Sequence, residues 1–98
     1  MIESEKDLER KLNSEIKRLG GLSIKLLAAH FIGLPDRLCL LPGGRLFFSE
    51  IKTTGRKLRR IQQVVILKLE NLGFDVYVID KTEDVKQIIS KYEGAGSS

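Results

Sequence analysis

Leu8, Leu12, Ile16 and Leu19 recur at a spacing that stacks them on one side of a helix. Ser4 stands where an N-cap belongs, with Asp7 three residues on in a loose capping-box relation, and Gly20-Gly21 supplies the stop. The period then changes. In LSIKLL, Leu22, Ile24 and Leu26 alternate with Ser23 and Lys25, which predicts a strand with two unlike faces. AAHFIGLP reads as a loop, closed by a proline that pushes Leu34 towards extended backbone. Two further strands, about Asp36–Leu41 and Arg45–Ile51, flank Pro42-Gly43-Gly44, and TTGRK is a loop. A second helix is predicted from Leu58 to Leu72, apolar on most faces, with Gly73 as its left-handed cap. FDVYVI is a fourth strand, and Asp80 or Thr82 caps a last helix with the stripe Val85, Ile88, Ile89 and Tyr92.

The order is helix, three strands, helix, strand, helix. The third strand, the helix after it and the fourth strand form a βαβ unit, so those two strands should run parallel with a right-handed crossover. The second and third strands form a hairpin. A small mixed sheet with helices on both faces follows, which accounts for hairpin strands that are apolar on both sides.

Composition narrows the class. A chain of 98 residues is one domain with a single modest core. Its 42% hydrophobic and 31% charged content is that of a folded protein. The net charge of +4 and pI near 9.4 suit a polyanionic partner without requiring one. Cys39 stands alone, so neither an internal disulfide nor a cysteine zinc pair is possible. The charged start MIESEKDLERK is no signal peptide and no apolar run reaches membrane length, which points to the cytoplasm. A phosphate-cradling glycine motif is missing, so nucleotide triphosphate use is not implied.

Hairpin arithmetic brings in the chemistry. With a three-residue loop, Leu41 faces Arg45, Leu38 faces Phe48, and Asp36 faces Glu50 on one face of the sheet. Lys52 lies on that same face one step beyond Glu50. A turn of Gly43 and Gly44 alone would separate the acids onto opposite faces. Two close carboxylates raise each other's pKa unless a cation sits between them. Hard oxygen ligands suit Mg²⁺ or Mn²⁺ better than zinc, and the Ile51 carbonyl is placed to complete the set. Lys52 is placed to orient or deprotonate a water, and a metal with an activated water is equipment for phosphodiester hydrolysis. The plainer alternative is a surface ion pair in which Lys52 neutralises acids at strand ends.

In KTTGRKLRRIQ, the residues Arg56, Lys57, Arg59 and Arg60 gather around the start of the second helix, where helix amides already favour phosphate. A solvated loop is the competing reading. Lys25 is a second basic contact or a plain exposed lysine. His30, in the loop before the motif, has no other histidine to form a metal pair. Cys39, Phe47 and Phe48 read as core.

The ordered set GLPDR, FFSEIK and GRKLRRIQ resembles the VRR-Nuc family, a branch of the PD-(D/E)XK nuclease superfamily, and the likeness runs from EKDLERKL through GGLSIKL to NLGFDVYVID. The resemblance implies a PD-(D/E)XK-type αβββαβ core over residues 1–93, with 94–98 a flexible tail, in the stand-alone form found in phages and bacteria. It implies Asp36 and Glu50 as metal-binding acids and Lys52 as the catalytic lysine. Glu5 matches the acid of the first helix, with Glu9 one turn on as the alternative, and Gln62 matches the family's glutamine after the basic loop. Arg37 of GLPDR, Lys25 and Gln62 join the four basic residues as expected DNA contacts. The expected function is a Mg²⁺- or Mn²⁺-dependent endonuclease on branched DNA such as four-way junctions. The alternatives are a flap or duplex-end nuclease, a non-catalytic nucleic-acid-binding module, or a protein-interaction domain. Symmetric junction cutting calls for a homodimer, and the last helix's apolar stripe is one candidate interface, although covering the sheet is its other role.

Overall fold

The computed structural model describes residues 3–27, 29–53 and 55–94. Its first helix, α1 (Glu5–Arg18), begins where the Ser4 hydroxyl accepts the Asp7 N–H at 3.1 Å. Just past its end, Gly21 crosses β2 so closely that a Cβ there would lie 2.2 Å from the Leu40 carbonyl oxygen. Glycine is therefore what lets the chain fold back from α1 into the sheet. The remaining elements are β1 (Leu22–Lys25), β2 (Arg37–Leu41), β3 (Arg45–Ile51), α2 (Arg60–Asn71), β4 (Asp75–Ile79) and α3 (Thr82–Glu93). The strands lie in the order β1-β2-β3-β4, antiparallel at the first two junctions and parallel at the last. This is the mixed four-stranded sheet of the αβββαβ layout.

Pro42–Gly44 forms a single 3₁₀ turn with Gly43 and Gly44 at φ 84° and 75°. The loop therefore has three residues, and Leu41 pairs with Arg45, Leu38 with Phe48 and Arg37 with Ser49. Asp36 and Glu50 follow one rung further on.

One face of the sheet holds the core. Cys39, Leu41, Phe47, Ile51 and Ile79 pack against Leu8, Leu12 and Ile16 of α1 and against Val85, Ile88, Ile89 and Tyr92 of α3. Phe47 stacks on Tyr92 at 5.0 Å and meets Tyr77 edge-on at 5.3 Å. The α3 stripe is thus used up inside the molecule. It covers the sheet and is not available to a second copy, because its four apolar side chains are all buried.

α2 lies across the other face, where it buries Gln62 and Val65. It covers that face incompletely. Ile61, Val64 and Leu67 of α2 remain exposed, as do Leu72, Phe74 and Val78 beside it. The apolar residues that the sequence places on most faces of α2 therefore leave part of the helix as an exposed apolar surface.

Several helix and strand ends differ from their predicted positions, most by a single residue. α2 starts at Arg60 and not Leu58, because the Gln62 side-chain oxygen accepts the Arg59 N–H at 2.8 Å and closes the helix there. α3 is capped by neither Asp80 nor Thr82: the Asp84 carboxylate reaches back to the Asp80 N–H at 3.0 Å, and the Thr82 N–H and hydroxyl both go to Glu3. β1 stops at Lys25, one rung short of the Leu26 N–H, which still meets the Asp36 carbonyl at 2.7 Å in the register of the ladder. Of the predicted tail, residues 95–98 lie outside the described residues. Among the described residues no helix is long and apolar enough to cross a membrane.

Candidate active site

Beyond Arg37 and Ser49 the β2–β3 ladder is continued by side chains. Glu50 Oε1 accepts the backbone N–H of Asp36, and Asp36 Oδ2 accepts the backbone N–H of Ile51, both at 3.1 Å. Each acid therefore anchors the other's strand. The second Glu50 oxygen accepts from Gln62 Nε2 at 3.2 Å, and Lys52 Nζ stands 3.8 Å from that oxygen. Gln62 is bound at both ends of its amide, since its oxygen caps α2, and this fixes which atom faces Glu50. Glu50 is 2% exposed.

Burial alone penalises the ionised form of such a group, and the nearby charge of Asp36 adds to the penalty. Together they push the Glu50 pKa up to about 7, against the weaker opposing effects of Lys52, the Asp36 N–H and Gln62. The site is a pair of like charges held together by backbone hydrogen bonds, with one ammonium nearby. A hard divalent cation relieves that strain, and Mg²⁺ is commonly held by one or two carboxylates with water filling the remaining positions. The donor chemistry of Asp36 and Glu50 fits such an ion.

The structure assembles some of the expected site residues and disperses others. Asp36, Glu50 and Lys52 converge. Ile51 touches the pair through its N–H, which donates to Asp36. Glu5 does not join them: its carboxylate pairs with Arg56 at 3.0 Å and lies 3.5 Å from the Thr53 hydroxyl. Glu9 is likewise engaged elsewhere, 3.2 Å from Arg37. Among the described residues no three histidine, cysteine or acidic side chains are grouped to hold a metal ion, so the candidate side-chain ligands are two, with the Ile51 carbonyl beside them as the expected backbone ligand.

Arg37 points away from the pair. It is 7% exposed on the α1 side of the sheet, where it meets Glu9 and the Ser23 hydroxyl, which donates on to Asn13. The expectation of a DNA contact at Arg37 fails on strand alternation: a residue adjacent to Asp36 must face the opposite way. That signal was already present in the sequence. Lys25, paired in register with Arg37, is exposed at the edge strand on that same opposite face. Gln62 is 6% exposed and bonded to Glu50 and Arg59, so it serves the acid and not a solvent-side DNA contact. Arg56, Lys57, Arg59 and Arg60 are exposed around the start of α2, as expected. His30 is exposed in the loop between β1 and β2, Cys39 is buried, and Phe48 packs edge-on against Phe74 at 5.9 Å.

The acid pair and Lys52 stand at the open end of the hairpin, away from the Pro42–Gly44 turn. No family model matches the chain. A solved structure described as a VRR_NUC domain superimposes with a TM-score of 0.83 at 28% identity, covering 90% of this chain and 96% of that one. The chain is also 35% identical over 85 residues to "Putative nuclease p44" of Acyrthosiphon pisum secondary endosymbiont phage 1, spanning 87% of this chain and 90% of the relative. The protein belongs to the VRR-Nuc family of nucleases.

The acid pair makes stability depend on pH in a defined direction. Because the Glu50 pKa rises from 4.5 to about 7 on folding, the native state holds this proton more tightly than the unfolded chain does. The resulting stability is fully present below the unfolded pKa and is lost as pH rises through the folded one. In EDTA, wild type should therefore lose stability relative to Glu50→Gln between about pH 5 and pH 8, by on the order of 3 kcal/mol. Circular-dichroism melts of the two proteins across that range check this, and parallel profiles would remove Glu50 as a strained acid.

Proposed function

We propose that this protein is a Mg²⁺- or Mn²⁺-dependent endonuclease that hydrolyses DNA, selecting branched forms such as four-way junctions. The observation that carries the reading is the reciprocal Asp36–Glu50 pair, two carboxylates each bonded to a backbone N–H of the other's strand, with Lys52 beside Glu50. Asp36 and Glu50 would hold the cation, with water in the remaining positions. When bound, the cation supplies the positive charge that a phosphoryl transition state needs and acidifies water.

The chain's own residues do the rest. Lys52, 23% exposed at its side chain, positions or deprotonates the attacking water. Water adds to phosphorus, one P–O ester bond breaks, and the departing alkoxide takes up a proton. Gln62 keeps Glu50 in place, so that the acid cannot swing out to relieve its repulsion. Arg59 and Arg60 at the α2 start, with Lys57 and Arg56 before them, attract the phosphate backbone.

A junction cut symmetrically needs two such sites related by a two-fold axis, and a homodimer supplies them. With the α3 stripe buried, the support for a partner surface comes from the exposed side of α2: Val64 and Leu67, with Leu72 and Phe74 beyond its end.

On a panel of labelled duplex, flap, splayed-arm and four-way-junction DNA, wild type should cut junctions best in Mg²⁺ or Mn²⁺. Asp36→Asn, Glu50→Gln and Lys52→Ala should each lower cleavage by at least ~100-fold. Mn²⁺ calorimetry should show no binding for the two acid variants and retained binding for Lys52→Ala. Cleavage by Glu50→Gln close to the wild-type rate would sink the assignment.

Joint neutralisation of Arg56, Lys57, Arg59 and Arg60 should flatten the salt dependence of duplex binding, by about 0.9 in log–log slope for each phosphate that the variant no longer neutralises. An unchanged slope would move the DNA track elsewhere. In sedimentation, wild type should run as a dimer or a pair of dimers and place paired nicks symmetrically across a junction. Leu67→Lys with Leu72→Lys should yield a monomer that nicks single strands, whereas an unaltered assembly would exonerate this surface.

A further inference from the structure

The loop between β1 and β2 presents Leu27, Phe31 and Ile32 to water at 75%, 55% and 64% exposure. Connecting loops are ordinarily polar, and clustered apolar exposure marks an interaction site. This loop is also firmly anchored. The Leu26 N–H bonds to the Asp36 carbonyl at 2.7 Å, the Leu34 N–H closes a turn on the Phe31 carbonyl at 3.3 Å, and Pro35 is fully buried. Gly33, at φ +93°, lies so close to α2 that a Cβ would sit 2.8 Å from the Ile61 carbonyl and 2.9 Å from Val65 Cγ2. The backbone is tied down on both sides of the apolar side chains, which are nevertheless left outward.

What the loop touches places it beside the chemistry. The turn of α2 against which Gly33 packs includes Gln62, and Gln62 donates to Glu50. The same turn follows directly on Arg59 and Arg60, and the loop itself runs into Asp36. The base of the loop at Gly33 is thus packed on the helix turn that joins the cationic helix start to the acid pair.

We propose that Leu27, Phe31 and Ile32 form a wedge that packs on base faces exposed at a branch point in DNA. In a continuous duplex every base pair is covered by its neighbours, and an apolar side chain gains little from it. At a branch the terminal pairs present an open face, and side chains of this kind pack there or pry the step apart. The neighbouring cations draw in the phosphates of the same polyanion, which selects DNA over an apolar protein partner. The wedge rests on the nuclease reading of the acid pair, and it supplies the selectivity for branched substrates that the acids themselves cannot.

The test uses the full chain in EDTA, so that no cleavage intervenes, with 2-aminopurine placed either at the branch or within an arm of a four-way junction. Wild type should change the fluorescence of the branch probe and leave the arm probe unaltered. Phe31→Ser with Ile32→Ser should abolish that change and weaken junction binding about tenfold or more, with duplex affinity within about twofold of wild type. Phe31→Trp should retain the signal, and unchanged sedimentation and melting should accompany all three proteins. A silent branch probe with wild type, or a signal that persists in the double variant, overturns the wedge. A fall in sedimenting mass for the double variant also overturns it, by making the loop a contact between copies. A branch signal from a protein that cuts no DNA in Mg²⁺ would leave the wedge standing and remove the nuclease reading instead.

Discussion

At the last rung of the β2–β3 ladder the Glu50 carboxylate takes the amide proton of Asp36 while the Asp36 carboxylate takes that of Ile51. Two backbone donors at a strand end that would otherwise need water are satisfied by side chains, and two acids are thereby held at a fixed separation. The arrangement exists because three residues, Pro42 to Gly44, close the hairpin. A one-residue slip would carry every side chain of one strand to the other face, and the acids would part. The glycines' left-handed φ values are therefore as much a part of the site as the carboxylates.

The fold divides its labour between the faces of the sheet. α1 and α3 bury their apolar stripes on one side, with Phe47 stacked against Tyr92 at the centre. That side supplies the cohesion. The other side accommodates a buried acid whose ionisation works against folding, and it is only partly covered by α2. Like charges opposed across strands are destabilising, and such a pair persists because the surrounding ladder fixes it and the better-packed face compensates. Gln62 makes the compromise local: one amide both starts α2 and holds Glu50 in place.

Sequence pattern carried the architecture well, since period and punctuation determine it. The alternation of Leu22, Ile24 and Leu26, the Pro-Gly-Gly turn and the spacing of Val85, Ile88, Ile89 and Tyr92 each correspond to an observed element. The pattern shows that a face is apolar without showing what covers it, which is why the α3 stripe was open to two readings and why the apolar breadth of α2 did not reveal which of its residues stay exposed. Glu5 was out of reach for a similar reason: its partner Arg56 is 51 residues away and only the packing of α1 against the basic loop brings them together. Arg37 was different. Its neighbour Asp36 already determined its face, and alternation alone would have assigned it to the α1 side.

The position of α2 follows from interactions that all converge on its first turn. Gly33 can approach only because it lacks a Cβ, Gln62 points inward because both ends of its amide are engaged, and Arg59 and Arg60 remain outward because that is the side left over. A shift of this turn would move the loop before Asp36, the hydrogen bond on Glu50 and the cationic patch together. The loop and the arginines are therefore connected to Glu50 through one helical turn. The hairpin sets the two acids opposite each other, and the first turn of α2 supplies the amide that holds one of them.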